Sequence, residues 1–123
     1  MSDRSDARPD RAWRCYLRDM IEAAEKVVSY TDGMDRASFF ERGLVYDATI
    51  RNLELLGEAA NRLPEEVRDR RSEIPWRNMI DLRNRLIHGY FGVDDDIVWG
   101  VVENEIPALI TVLRALWDET GES

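Results

Sequence analysis

Cysteine and histidine each occur once in this 123-residue chain, as Cys15 and His88. A lone cysteine cannot close an internal disulfide, and one Cys with one His cannot build a structural zinc site within one chain. Any metal would have to rest on carboxylates or on a partner; neither a bound metal nor another cofactor is expected. Long hydrophobic runs are missing too, since none approaches the ~20 apolar residues that span a bilayer. The opening MSDRSDARPDR lacks the apolar core of a signal peptide. A cytoplasmic protein with no membrane segment is therefore expected. Period-two alternation is absent, which leaves no candidate strand. A chain of this length suits one domain around one hydrophobic core.

Lysine is also scarce, so 16 of the 17 cationic residues are arginine. The net charge of −8 argues against general phosphate binding, but the charges are unevenly spread. Residues 62–85 carry seven arginines against five acids, whereas residues 94–123 carry one arginine against eight acids. Arginine grips phosphate through a planar fork. A solvated helix face paired with neighbouring Glu and Asp accounts for the same composition.

What is present is helical periodicity from end to end. Trp13, Leu17, Met20, Ala24 and Val27 recur at spacings of three and four, and the turn Thr31-Asp32-Gly33 ends that segment. Ser38 followed by Glu41 has the form of a capping box opening a long second helix. On it Phe40, Leu44, Ala48, Leu55 and Ala59 fall on one face, with Val45, Leu53, Leu56, Ala60 and Leu63 broadening it, an apolar surface wide enough for more than one neighbour. Pro64 opens a short helix through about Arg70, and Pro75 opens one from Trp76 through His88, with Gly89 as its stop. Asp94 caps the last helix, whose stripe is Val98, Val102, Ile106, Leu109, Leu113 and Leu116, and Pro107 should kink it. The expected fold is an all-α antiparallel bundle of about five helices. Residues 1–9 read as a disordered charged lead, residues 10–120 as the domain.

The stretch RNRLIHGY, residues 83–90, holds the single histidine. Asn84 and His88 are four apart and share a helix face, while Arg83 lies roughly 140° around the axis from His88 and must reach round with its long side chain. Gly89 lets the backbone leave the helix and bring Tyr90 back toward the site. Arginine, amide, imidazole and phenol around one patch suit phosphoryl chemistry, in which Arg stabilises the charge of the transition state and His moves protons. A helix C-terminal histidine is also a common dipole-satisfying cap. Cleavage of RNA through its own 2′-hydroxyl wants a base and an acid; one histidine supplies one of them, and a homodimer would supply both.

RNRLIHGY matches the Arg-x4-His-x-Tyr pattern of the HepT toxins, within the HEPN superfamily of small helical ribonucleases, and Asn84 fits the polar residue that commonly follows the Arg there. DATIRNLELLGEAANRLPEEVR, EIPWRNMIDLRNRLIHGYFGVD and IVWGVVENEIPAL also resemble HepT sequence, so the likeness runs from about Arg11 to Leu116. It implies a homodimeric helical bundle with the motifs facing a shared cleft. It further implies metal-independent RNA cleavage by Arg83, Asn84 and His88, and restraint by a cognate minimal nucleotidyltransferase antitoxin that transfers AMP to Tyr90. Arg77 and Arg85 are the nearest candidates to hold RNA. A non-catalytic helical module that docks a nucleotidyltransferase or a nucleotide is the alternative. The acidic run Asp94 to Asp96 is expected to serve as helix cap and first-turn acids, since three consecutive carboxylates point in different directions and make a poor metal site.

Overall fold

The apolar stripe of the first segment folds inward as its spacing requires: Trp13, Leu17, Met20, Ala24 and Val27 are all buried on helix α1, Ser2–Thr31. The structure, a computed structural model, describes the backbone of residues 2–88 and 94–121 and the side chains of residues 13–88 and 94–120. The helix begins at Ser2 and so takes in residues 2–9. At the other end Gly33, with φ of 77°, turns the chain, and the Thr31 hydroxyl donates to the Val27 carbonyl at 2.8 Å.

The long second helix of the sequence reading is two helices. Helix α2 spans Arg36–Glu41 and α3 spans Gly43–Arg62, with Arg42 extended between them. The capping box sits three residues earlier than expected. Asp35 is the cap, accepting from the Ser38 backbone N–H at 2.9 Å, while the Ser38 hydroxyl accepts from the Asp35 N–H at 3.1 Å. The break changes what the residues on either side of it face. Phe39 rather than Phe40 is fully buried, its ring 4.9 Å from Phe40, 5.6 Å from Tyr46 and 5.3 Å from Trp99. Leu44, placed on the inner face by periodicity, is 87% exposed. From Thr49 onward α3 buries Asn52, Leu53, Leu56, Gly57, Ala59 and Ala60 and packs on both α1 and α5, more than one neighbour as its width called for.

Helix α4, Glu65–Arg68, runs into a single 3₁₀ turn, Asp69–Arg71, before α5, Trp76–His88. The last segment is one helical run in three parts: α6, Asp95–Gly100, a π-helical turn, Val101–Glu105, and α7, Ile106–Gly121. Asp94 caps it as expected, accepting from the Ile97 N–H at 2.9 Å. Pro107 has no N–H for the Glu103 carbonyl and its ring crowds that group. The wide turn ends immediately before it, with the Ile106 N–H donating to the Val101 carbonyl, which re-phases the ladder around the proline. Every residue of the predicted stripe, from Val98 to Leu116, is buried.

Long-range polar contacts bind the termini of this all-α bundle. The Arg14 guanidinium lies 3.6 Å from the Trp117 ring centroid and donates to the Thr120 hydroxyl at 2.9 Å, joining α1 to α7. Arg114 pairs with Glu25, and Arg71 pairs with Glu119 and Glu73. Among the described residues there is no strand, and no helix is long and apolar enough to cross a membrane.

Candidate functional site

Helix α5 carries the candidate residues, and its start is fixed by Trp76. That ring is buried, and its Nε1–H is shared between the carbonyls of Arg68 at 3.0 Å and Arg71 at 3.1 Å, which ties α5 to the 3₁₀ turn. From this anchor the register places Trp76, Met79 and Arg83 on the side turned toward α3. Arg77, Asn84 and His88 fall within about 40° of one another on the opposite, outer side. All three outer residues are exposed, and His88 is the last residue of the helix.

Arg83 joins the two sides. Its stem is half-buried against α3, and its Nε is enclosed with no hydrogen-bond partner. Its Nη1 donates to the Asn84 side-chain oxygen at 2.8 Å, so the guanidinium emerges beside the residue that shares a face with His88. The contact that holds the guanidinium is thus with Asn84, the next residue along the helix. Arg85 stands about 60° from His88. It borders a groove of about 620 Å³ between α5 and the last helical run, with Leu82, Ile97, Val101 and Leu109 among its apolar walls. Arg77 and His88 thus share a stripe, while Arg85 faces the groove. Gly89 and Tyr90 lie outside the described residues.

The arginine-rich third divides by role. Arg62 pairs with Glu58 at 3.4 Å, and Arg71 is committed to Glu73 and Glu119, so these two serve the surface pairing that composition alone allowed. The acidic run is similarly occupied: Asp94 caps α6, and Asp96 meets Arg36 at 2.8 Å. Among the described residues no three His, Cys, Asp or Glu side chains gather where they could hold a metal.

Sequence reasoning passed over Gly57. It is buried in the middle of α3, directly beneath Arg83, and a Cβ there would lie 2.4 Å from the Arg83 Cβ and 2.7 Å from the Met79 carbonyl oxygen. The available signal was an isolated glycine inside a helical pattern, which commonly marks a close approach.

A family model for HepT-like ribonucleases matches residues 20–116. A protein named "Probable ribonuclease HepT" from Thermococcus cleftensis is 38% identical over 99 residues, covering 80% of this chain and 90% of its own. A provisionally assigned RNase of Methanocaldococcus jannaschii is 35% identical over 80% of this chain and 82% of its own. Another, from Caldanaerobacter subterraneus, is 35% identical over 78% of this chain and 86% of its own. No solved structure is a significant match. With matches that span α5 and its packing partners, the chain belongs to the HepT-like family of ribonucleases.

Proposed function

We propose that this ribonuclease cleaves RNA internally and without metal, with Arg83 and His88 as its catalytic residues, and that it acts as the toxin of a toxin-antitoxin pair in the cytoplasm. The observation that carries the reading is the Arg83 guanidinium held at 2.8 Å by Asn84, on the face that ends in the solvent-open His88. The 2′-hydroxyl gives up its proton to a base and attacks the adjacent phosphorus. The bond to the 5′-oxygen breaks as an acid protonates it, leaving a 2′,3′-cyclic phosphate and a 5′-hydroxyl. Arg83 offsets the charge gathered on the phosphoryl oxygens, and Arg77, on the same stripe, holds the strand beyond. Arg85 contributes from the groove side.

Each chain brings one histidine, so a homodimer supplies both base and acid. Exposed apolar residues on α3 and α6, Leu44 and Ile97 among them, together with the walls of the groove beside Arg85, offer surface for such an interface. Restraint comes from a minimal nucleotidyltransferase that transfers AMP to Tyr90, two residues beyond His88. The adduct is a bulky anion that fills the site and repels RNA phosphate.

The test is cleavage of single-stranded RNA by purified protein in the presence of chelator, with the ends of the products identified. Cyclic phosphate ends are expected, with losses of about 10²- to 10⁴-fold for His88→Ala and comparable losses for Arg83→Ala in protein of unchanged helical content. Dependence on Mg²⁺, or full activity in either variant, excludes the mechanism. Light scattering at micromolar concentration checks the dimer, and a monomer there excludes the shared site.

A further inference from the structure

We propose that Gly57 is a positioning residue for Arg83: by leaving out a side chain in the middle of α3, it lets the arginine stem cross the helix contact and sets the direction in which its guanidinium leaves. The inference rests on the reading of Arg83 as the group that stabilises phosphoryl charge, and it extends that site to a second helix.

Glycine is a poor residue for a helix interior, because it loses more backbone freedom on folding than alanine. Gly57 sits 14 residues into the 20-residue α3, so an end-capping role does not explain it. A positive φ does not explain it either, since Gly33 is the only described glycine with one. The surroundings do. A Cβ at position 57 would meet the Arg83 Cβ at 2.4 Å, the Met79 carbonyl oxygen at 2.7 Å and the Arg83 Cγ at 3.1 Å. Two of these three atoms belong to Arg83, and the third is the backbone carbonyl one helical turn before it. Neither the Cβ nor the carbonyl is the movable far end of a side chain. By contrast, a Cβ on Gly43, also in α3, or on Gly100 in α6 would meet nothing within 4 Å.

Arg83 stands on the inner side of α5, roughly 140° from His88, and can serve the outer face only if its stem runs a fixed course. That course is bounded by Gly57 beneath the Cβ and Cγ, by the enclosure around Nε, and by the Asn84 oxygen 2.8 Å from Nη1. A methyl group at position 57 displaces the first of these bounds and shifts the far end of a four-bond lever. Misplacement of about 1 Å at a reacting group can cost around 10²-fold in rate.

The test is a double-mutant cycle on cleavage of single-stranded RNA, using wild type, Gly57→Ala, Arg83→Ala and the double variant. Circular dichroism and thermal melts establish that each is folded. Gly57→Ala is expected to lower kcat by about 10²-fold while KM stays within about threefold. The pH profile of its residual activity should keep the wild-type shape, because the proton-transferring group is untouched. In the Arg83→Ala background, Gly57→Ala should cost no more than about a further twofold, since a residue acting through Arg83 has nothing left to position. Losses that multiply, or wild-type kcat in Gly57→Ala, overturn the proposal while leaving Arg83 in its role. Wild-type kcat in Arg83→Ala removes the site reading itself, and the proposal with it. Should Gly57→Ala fail to fold, the Arg83 Nε–H of the wild type is read by NMR: slow exchange with solvent supports a held side chain, and free exchange overturns it.

Discussion

The side-chain oxygen of Asn84 accepts a 2.8 Å hydrogen bond from Nη1 of Arg83, although the two side chains leave α5 about 100° apart. Asn84 therefore acts here as a holder of the guanidinium. A hydrogen bond to a charged group contributes about 1.5–3 kcal/mol, but this one is solvent-exposed, so the lower end applies. Asn84→Ala is expected to reduce kcat about tenfold with unchanged helical content. Asn84→Asp keeps the acceptor but adds a negative charge where RNA phosphate must approach, and should raise KM as well. Steady-state cleavage of a short single-stranded RNA separates the two effects, and wild-type kinetics in Asn84→Ala would remove the amide from the site.

The fold was legible wherever burial followed the helical period. The stripes from Trp13 to Val27 and from Val98 to Leu116 are buried as spaced, because each belongs to an unbroken helical run with one face on the core. The break at Arg42 was hidden for a local reason: Asp35 and Ser38, and again Ser38 and Glu41, stand three apart, so two capping boxes overlap in the sequence. Only the backbone decides between them, and Asp35 takes the cap. Leu44 and Val45 continued the period across the break and so disguised it. At the site, helical arithmetic correctly set Arg83 apart from His88. The two features that define its path were less accessible. Asn84 as acceptor is a choice among rotamers, and Gly57 is 26 residues away, brought near only by the packing of α3 on α5.

Arg77 tests how far the RNA-binding surface extends along α5. It is exposed and in register with Asn84 and His88, at a separation of about 16 Å from His88 along the helix. A phosphate contact there adds affinity without base preference. Arg77→Ala should weaken binding of single-stranded RNA uniformly across sequences, and should reduce the slope of log K against log salt by about 0.7. Fluorescence anisotropy with His88→Ala protein, at several salt concentrations, measures both. An unchanged salt slope would place the strand elsewhere.

Acid should loosen the start of α2 through Asp35. Hydrogen bonds from the Ser38 backbone N–H and then from the Ser38 hydroxyl hold this carboxyl below its usual range. A carboxyl with a depressed folded pKa stabilises the fold above its unfolded value of about 3.9, and that contribution is lost as pH falls through the folded pKa. Asp35→Ala is expected to melt at lower temperature than wild type at pH 7, with the gap narrowing in the acid range. Asp35→Ser retains an uncharged cap, so its difference from Asp35→Ala should be insensitive to pH. Melting curves across the acid range check the pattern. A wild-type to Asp35→Ala gap that stays constant down to strongly acid pH would show that the cap contributes without ionising.

If the chain acts as the proposed toxin, Tyr90 is the residue on which its restraint is expected to turn. Transfer of AMP requires the phenol oxygen to attack the α-phosphate of ATP, with release of pyrophosphate and loss of the phenol proton, so the hydroxyl must be accessible and readily ionised. Tyr46 and Tyr16 are poorly placed for it. Burial, and then Asp95 and Asp47, push the Tyr46 phenol above its ordinary value, and Tyr16 is half-buried. Tyr90→Phe removes only the nucleophile. It should retain the fold and most of the RNA cleavage, because Arg83, Asn84 and His88 are intact, yet it should escape neutralisation when co-expressed with the nucleotidyltransferase. Growth and intact mass report the two halves of that outcome. Wild-type Tyr90 protein should gain mass in AMP units and permit growth, whereas the Phe variant should gain none and arrest it. An adduct mapped to Tyr16, Tyr30 or Tyr46, or rescue of the Phe variant as complete as that of wild type, would assign restraint to another residue or to binding alone.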